Sequence, residues 1–144
     1  MTAISGSACG AAAYMRTDDR ATHSSSASGF AAAGPGDESW REWTRRIDDL
    51  LSARTLADDW DGQGAVAPHP ALVDGAITLA LSFQTDGTRP ADFVIPGVNG
   101  TVVFEWHDPV EYVEVEVTAP DRAVRRAVKR ETGETQVNHL VRRC

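Results

Sequence analysis

Over residues 39–56 and 70–86, on either side of a Gly- and Pro-containing loop, the large apolar side chains recur at helical spacing, and from Asp92 onward they recur every second position. A period near 3.6 marks a helix with one buried stripe; a period of two marks a strand with one buried face. A chain that runs helices first and strands afterwards folds as an α+β domain, because strands adjacent in sequence pair antiparallel through short turns. The expected architecture is two helices packed on a small antiparallel β-sheet of three to four strands. Residues 37–130 are expected to form this single domain, behind a disordered tail over residues 1–36.

The first helix is expected from Ser39 to Leu56. Ser39 and Glu42 have the spacing of a capping box, and Trp40, Trp43, Ile47, Leu50 and Leu51 mark its apolar side. Both tryptophans are expected in the core. Pro70 suits the first turn of a second helix with His69 near its cap, and Gly87 ends it. Strands follow at Phe93–Ile95, at Thr101–Trp106 after the turn residues Pro96–Gly100, and around Val113, Val115 and Val117. Tyr112, Glu114 and Glu116 alternate with those valines and fall on a wet face. The run from Ala123 to Arg130 is read as a further strand folded back on the glutamates. Arg125 with Lys129, or Arg126 with Arg130, would then face carboxylates, each pair contributing roughly 0.2–1 kcal/mol.

Residues 1–36 are mostly Ala, Ser, Gly and Thr, too poor in large apolar side chains to offset the entropy of ordering. Met15 offers a shorter start, and residues 131–144 are expected to be a flexible basic end. The first residues lack the leading positive charge and the Leu-, Ile- and Val-rich run of a secretion signal, and no segment reaches the roughly 18 apolar residues of a membrane helix. A cytoplasmic protein with no membrane role is expected. Cys9 and Cys144 lie at opposite ends, which disfavours a structural disulfide and a thiolate metal site.

The net charge of −7 is unevenly spread: Asp37–Asp121 carries 17 acidic and 5 basic residues, whereas Arg122–Cys144 carries 7 basic and 2 acidic. An acidic body argues against direct nucleic-acid binding, which needs a clustered basic face. Phosphate-loop, dinucleotide, zinc-protease and nucleophile-elbow signatures are absent from the sequence, and no cofactor is implied.

The most distinctive stretch is Asp58-Asp59-Trp60-Asp61-Gly62-Gln63-Gly64-Ala65. Asp59, Asp61 and Gln63 have the alternation of calcium-loop ligands, and Gly64 stands at the sixth position. The twelfth position is Pro70, where a bidentate Glu is required. The alternative is structural: Asp58 or Asp59 caps backbone amides, Gly62 and Gly64 supply positive φ, and Trp60 fills the gap between the second helix and the sheet. Glu105-Trp106-His107-Asp108 is a second place where acid and base groups could meet.

The segment from Leu56 to Pro70 with WDGQGA at its centre, the helix after it, Val94-Ile95-Pro96, the glycine turn and Phe104-Glu105-Trp106 together resemble a group of small bacterial proteins with a W-D-G-x-G-A motif. The resemblance spans roughly residues 40–130. It implies a bacterial origin and a compact domain, and carries no activity with it.

Three functions are weighed on these residues. A non-enzymatic regulatory or accessory module would bind another protein, in the manner of an antitoxin or immunity protein, through Glu105, Glu114, Glu116, Arg125 and Arg126. A metal-dependent hydrolase would use Asp58, Asp59 and Asp61. An acidic mimic of nucleic acid would occupy the basic groove of a DNA-binding protein. The first is the leading expectation.

Overall fold

The computed structural model of the chain describes residues 14–16 and 37–143. In chain order the elements are β1 (Tyr14–Arg16), α1 (Asp37–Ala53), α2 (Pro70–Thr85), β2 (Phe93–Pro96), β3 (Val102–His107), β4 (Glu111–Ala119), β5 (Arg122–Lys129) and β6 (Thr135–Arg142). The architecture is α+β as expected, with more strands. Five antiparallel strands, β2 to β6, form a meander in which each pairs with its successor, and the three residues of β1 pair with the end of β6.

Helix α1 buries Trp43 and Leu50 and packs Ile47 against the core. It begins at Asp37, so Ser39 lies inside its first turn rather than at a cap. Trp40, expected in the core, is 60% exposed, since the buried stripe runs through Trp43 and Leu50. The helix closes at Ala53, where the amides of Thr55 and Leu56 tighten onto the carbonyls of Ser52 and Ala53.

Helix α2 opens on Pro70, with His69 Nδ1 accepting the Ala71 amide at 3.1 Å, and ends before Gly87 at φ +73°. Its Gly75 faces the β4–β5 turn so closely that an added Cβ would lie 2.8 Å from the Pro120 Cα and nearer still to its carbonyl oxygen. Glycine therefore sets how near this helix approaches the sheet.

Val102, Phe104 and Trp106 on β3 and Val113, Val115 and Val117 on β4 line one face, and all six are buried. Each such side chain contributes roughly 1.5–3 kcal/mol by leaving water. Phe83 packs edge-on against Phe104 and Trp106 and stacks on Trp43, joining both helices to the sheet. Three long-range bonds tie down the linker between α2 and β2: Trp43 Nε1 donates to Thr88 O, Trp106 Nε1 to Arg89 O, and Arg46 Nε to Ala91 O, each at 2.8 Å.

Two expectations about the chain ends are corrected. Residues 135–142, read as a flexible end, form β6 and pair with β5 along its length after a turn at Gly133, φ +70°. Residues 14–16, read as part of the tail, pair with β6 through Tyr14–Arg142 and Arg16–Leu140. The rest of the expected tail lies outside the described residues. Helix α1 packs on α2 and β2, and α2 on β3 and β4, so the helices lie mainly over the β2–β4 half, while Ala123 and Ala127 of β5 are buried in the same core and Leu140 of β6 packs at its margin.

Candidate functional site

The Asp58–Ala65 loop folds around its own carboxylates. Asp61 Oδ1 accepts the amides of Gln63 at 2.8 Å and Ala65 at 3.0 Å, Asp59 Oδ1 accepts that of Gly64 at 2.7 Å, and Asp58 Oδ1 that of Ala67 at 3.0 Å. The Gln63 and Ala65 amides hold the Asp61 carboxyl below the usual carboxylate range. Main-chain bonds from Asp59 N to Ala65 O and from Gly62 N to Asp59 O complete the turn. Gly62 and Gly64 take φ +70° and +88°, and Asp59 itself takes φ +64°, a region that Asp tolerates better than most side chains.

This arrangement corresponds to the structural reading of the motif. The three carboxylates turn onto separate amides, and no group of three His, Cys, Asp or Glu among the described residues is placed to hold a metal ion. One detail is corrected. Trp60 is half-buried and outside the core, its indole reaching the Val66 carbonyl of its own loop at 3.4 Å, rather than plugging the space between α2 and the sheet. The loop is fastened to the β2–β3 turn instead, by Val66 N donating to Val98 O at 2.8 Å.

The sheet face turned away from the helices is the richer surface. Strand alternation divides Glu105-Trp106-His107-Asp108: Trp106 points into the core, Glu105 and His107 point outward, and the Asp108 amide bonds to Glu111 O beyond the strand. Glu105 and His107 meet, with Oε2 to Nε2 at 2.9 Å. His107 lies edge-on to Phe93 on one side and to Tyr112 on the other.

On this same face Glu105 stands directly opposite Glu114, and Glu114 opposite Arg126. Arg126 Nη1 reaches Glu114 Oε1 at 2.7 Å and Glu116 Oε2 at 3.2 Å, and these bonds hold its guanidinium more firmly charged than usual. Tyr112 donates to Glu114 Oε2 at 3.1 Å; burial first, then this bond to an anion, pushes its phenol above the ordinary range. The three glutamate side chains keep 21–26% of their surface open to water.

Four of the five residues expected to form a partner surface therefore come together. Arg125 does not, because it sits on the helix side of β5, across from Val115 and Asn138. Sequence reasoning did not single out Phe93, Val103, Tyr112 and Val124 as members of this surface, although period-two counting from Glu114 places Tyr112 beside it. Chemically the face carries Glu105, Glu114 and Arg126 in a polar row across β3, β4 and β5, with Tyr112 and Glu116 beside Glu114 on β4, flanked by Phe93, Ile95 and Val103 on the β2–β3 side and by Val124, Val128 and Val137 on the β5–β6 side. An open strip of this kind suits contact with another macromolecule better than enclosure of a small substrate.

No family model, no curated protein and no solved structure matches the chain. None of the described helices is long and apolar enough to cross a membrane.

Proposed function

We propose that this chain is a non-enzymatic protein-binding module of the regulatory or accessory kind, acting through the outer face of its sheet. The observation that carries the reading is that both helices pack on the other side, while the outer face presents exposed Phe93, Ile95 and Val137 around the Glu105–Glu114–Arg126 strip. Large apolar side chains grouped around a polar centre are the pattern of an interface. An antitoxin or immunity protein is one version of such a module. In the motif loop Oδ1 of Asp58, Asp59 and Asp61 each accepts at least one backbone amide, which supports a turn-forming role for these carboxylates.

Site-specific photocrosslinking in the native cell tests this. A crosslinker at Val103 or Val124 should capture one recurrent protein, and a crosslinker at exposed Asp48 on α1 should not. Capture of nothing recurrent from the outer face, or of the same proteins from every position, ends the proposal.

A further inference from the structure

The register places two carboxylates, Glu105 and Glu114, directly across from one another on β3 and β4. Like charges in that position oppose pairing of the strands. Among the described residues, Glu114 and Glu116 are relieved by a permanent cation, the Arg126 guanidinium, which serves both. Glu105 has His107, which counters it only when protonated. With His107 neutral, the strip holds three carboxylates against one guanidinium, and apolar banks rise on both sides.

We infer that the partner element seated on this face is a basic amphipathic helix lying along β4, with Arg or Lys at the centre of its apolar side directed between Glu105 and Glu114. This deepens the protein-binding reading and rests on it. Charge complementarity chooses a cationic partner over an acidic one. Width chooses a helix: Val103 on β3 and Val124 on β5, which flank Glu116 of β4, are two strand spacings apart, about 10 Å, which matches the diameter of a helix with side chains, about 10–12 Å. A single extended strand would cover one bank and leave the other wet. A free small cation would leave Phe93, Ile95, Val124 and Val128 uncovered.

Two fluorescent four-turn helical peptides with identical apolar positions test the assignment, one carrying two Arg at the centre of that side and the other two Glu. Titrated by anisotropy against the full chain, the Arg peptide should bind and the Glu peptide should not. Glu105→Gln with Glu114→Gln should weaken binding about tenfold or more, as should raised salt. The double variant keeps shape and exchanges a repulsion for the loss of the charged bond from Arg126 to Glu114, so its thermal melt should lie close to the parent's. Equal binding of both peptides, or full binding by the double variant, overturns the charge assignment while leaving the outer face as a docking surface. Failure of both peptides overturns the helix itself, and crosslinking from Val103 then still decides the protein-binding reading separately. A sedimenting dimer abolished by Val124→Asp would replace the helix with a second copy of the chain.

Discussion

The indole of Trp43 donates to the carbonyl oxygen of Thr88 at 2.8 Å, so the middle of α1 is bonded to the linker that follows α2. Trp43 is also among the largest fully buried side chains, whereas Trp60 is half-buried against its own loop. Trp43→Ala should therefore cost about 3–5 kcal/mol, the range for emptying a large aromatic site. Trp60→Ala should cost less, about 1–2 kcal/mol. Urea unfolding followed by circular dichroism compares them, and equal losses would show that the WDGQGA loop is as central to the core as Trp43.

Gly75→Ala offers a test of sign. In a helix interior alanine is better than glycine by about 1 kcal/mol. Here the new methyl would meet the Pro120 backbone, which cannot rotate aside as a side chain can. Overpacking of this kind costs about 1–3 kcal/mol, so the variant should melt lower than the parent. Gly62→Ala and Gly64→Ala meet open space, and their cost of about 1–2 kcal/mol each should come only from positive φ. A Gly75→Ala variant that melts higher would mean that α2 and the β4–β5 turn separate freely.

Acid should loosen the motif loop before it unfolds the sheet. The Asp61 carboxyl is depressed in the folded chain by the amides of Gln63 and Ala65. Asp92 is depressed as well: burial opposes ionisation there, but Arg89 and the His107 amide outweigh it. Both contributions are complete above the unfolded value of about 3.9 and are lost as pH falls through the lower folded values. Amide exchange at Gln63 and Ala65 should accelerate below about pH 4, and in Asp61→Ala it should be fast at every pH. Exchange that is equally slow in parent and variant would refute the carboxylate's role.

Arg126 should be worth more than either of its two pairs measured alone. Exposed ion pairs contribute about 0.2–1 kcal/mol, but Arg126→Met leaves three neighbouring carboxylates on one strip with no permanent cation. A double-mutant cycle with Glu114→Gln should give a coupling energy within that range, and Glu105→Gln should recover part of the Arg126→Met loss. Absence of any recovery would mean that the opposed carboxylates do not repel.

How far the sequence announces these features depends on how local their cause is. The valines of β4 alternate with Tyr112, Glu114 and Glu116 because one face meets Phe104 and α2 while the other meets water, and that contrast is written residue by residue. Gly62, Gly64 and the capping aspartates were equally readable, since turn chemistry is local. Strand β6 was not, because of its helix-side positions Gln136 is exposed and the buried Asn138 is polar, leaving Leu140 to pack against the core, and the alternation that signals a strand is blurred. The opposition of Glu105 and Glu114 depends on the length of the β3–β4 turn, and although Arg125 and Arg126 take opposite faces by alternation alone, which of them faces the glutamates depends on the β4–β5 register. Those are pairing facts, invisible until the strands are aligned.

The uneven helical layer also sets the order in which the molecule opens. Strand β3 is clamped by aromatic contacts from Trp43 of α1 and Phe83 of α2, and β2 and β4 pack against the helices, whereas β6 is held by its ladder to β5, by three residues of β1 and by Leu140 at the margin of the core. Opening β6 exposes little apolar surface, and opening β3 exposes Phe104 and Trp106. Local unfolding proceeds where the least buried area is lost. Protection against hydrogen exchange should therefore rise strand by strand from β6 to β3, and Glu114 and Glu116 on β4 sit where the rigid part begins.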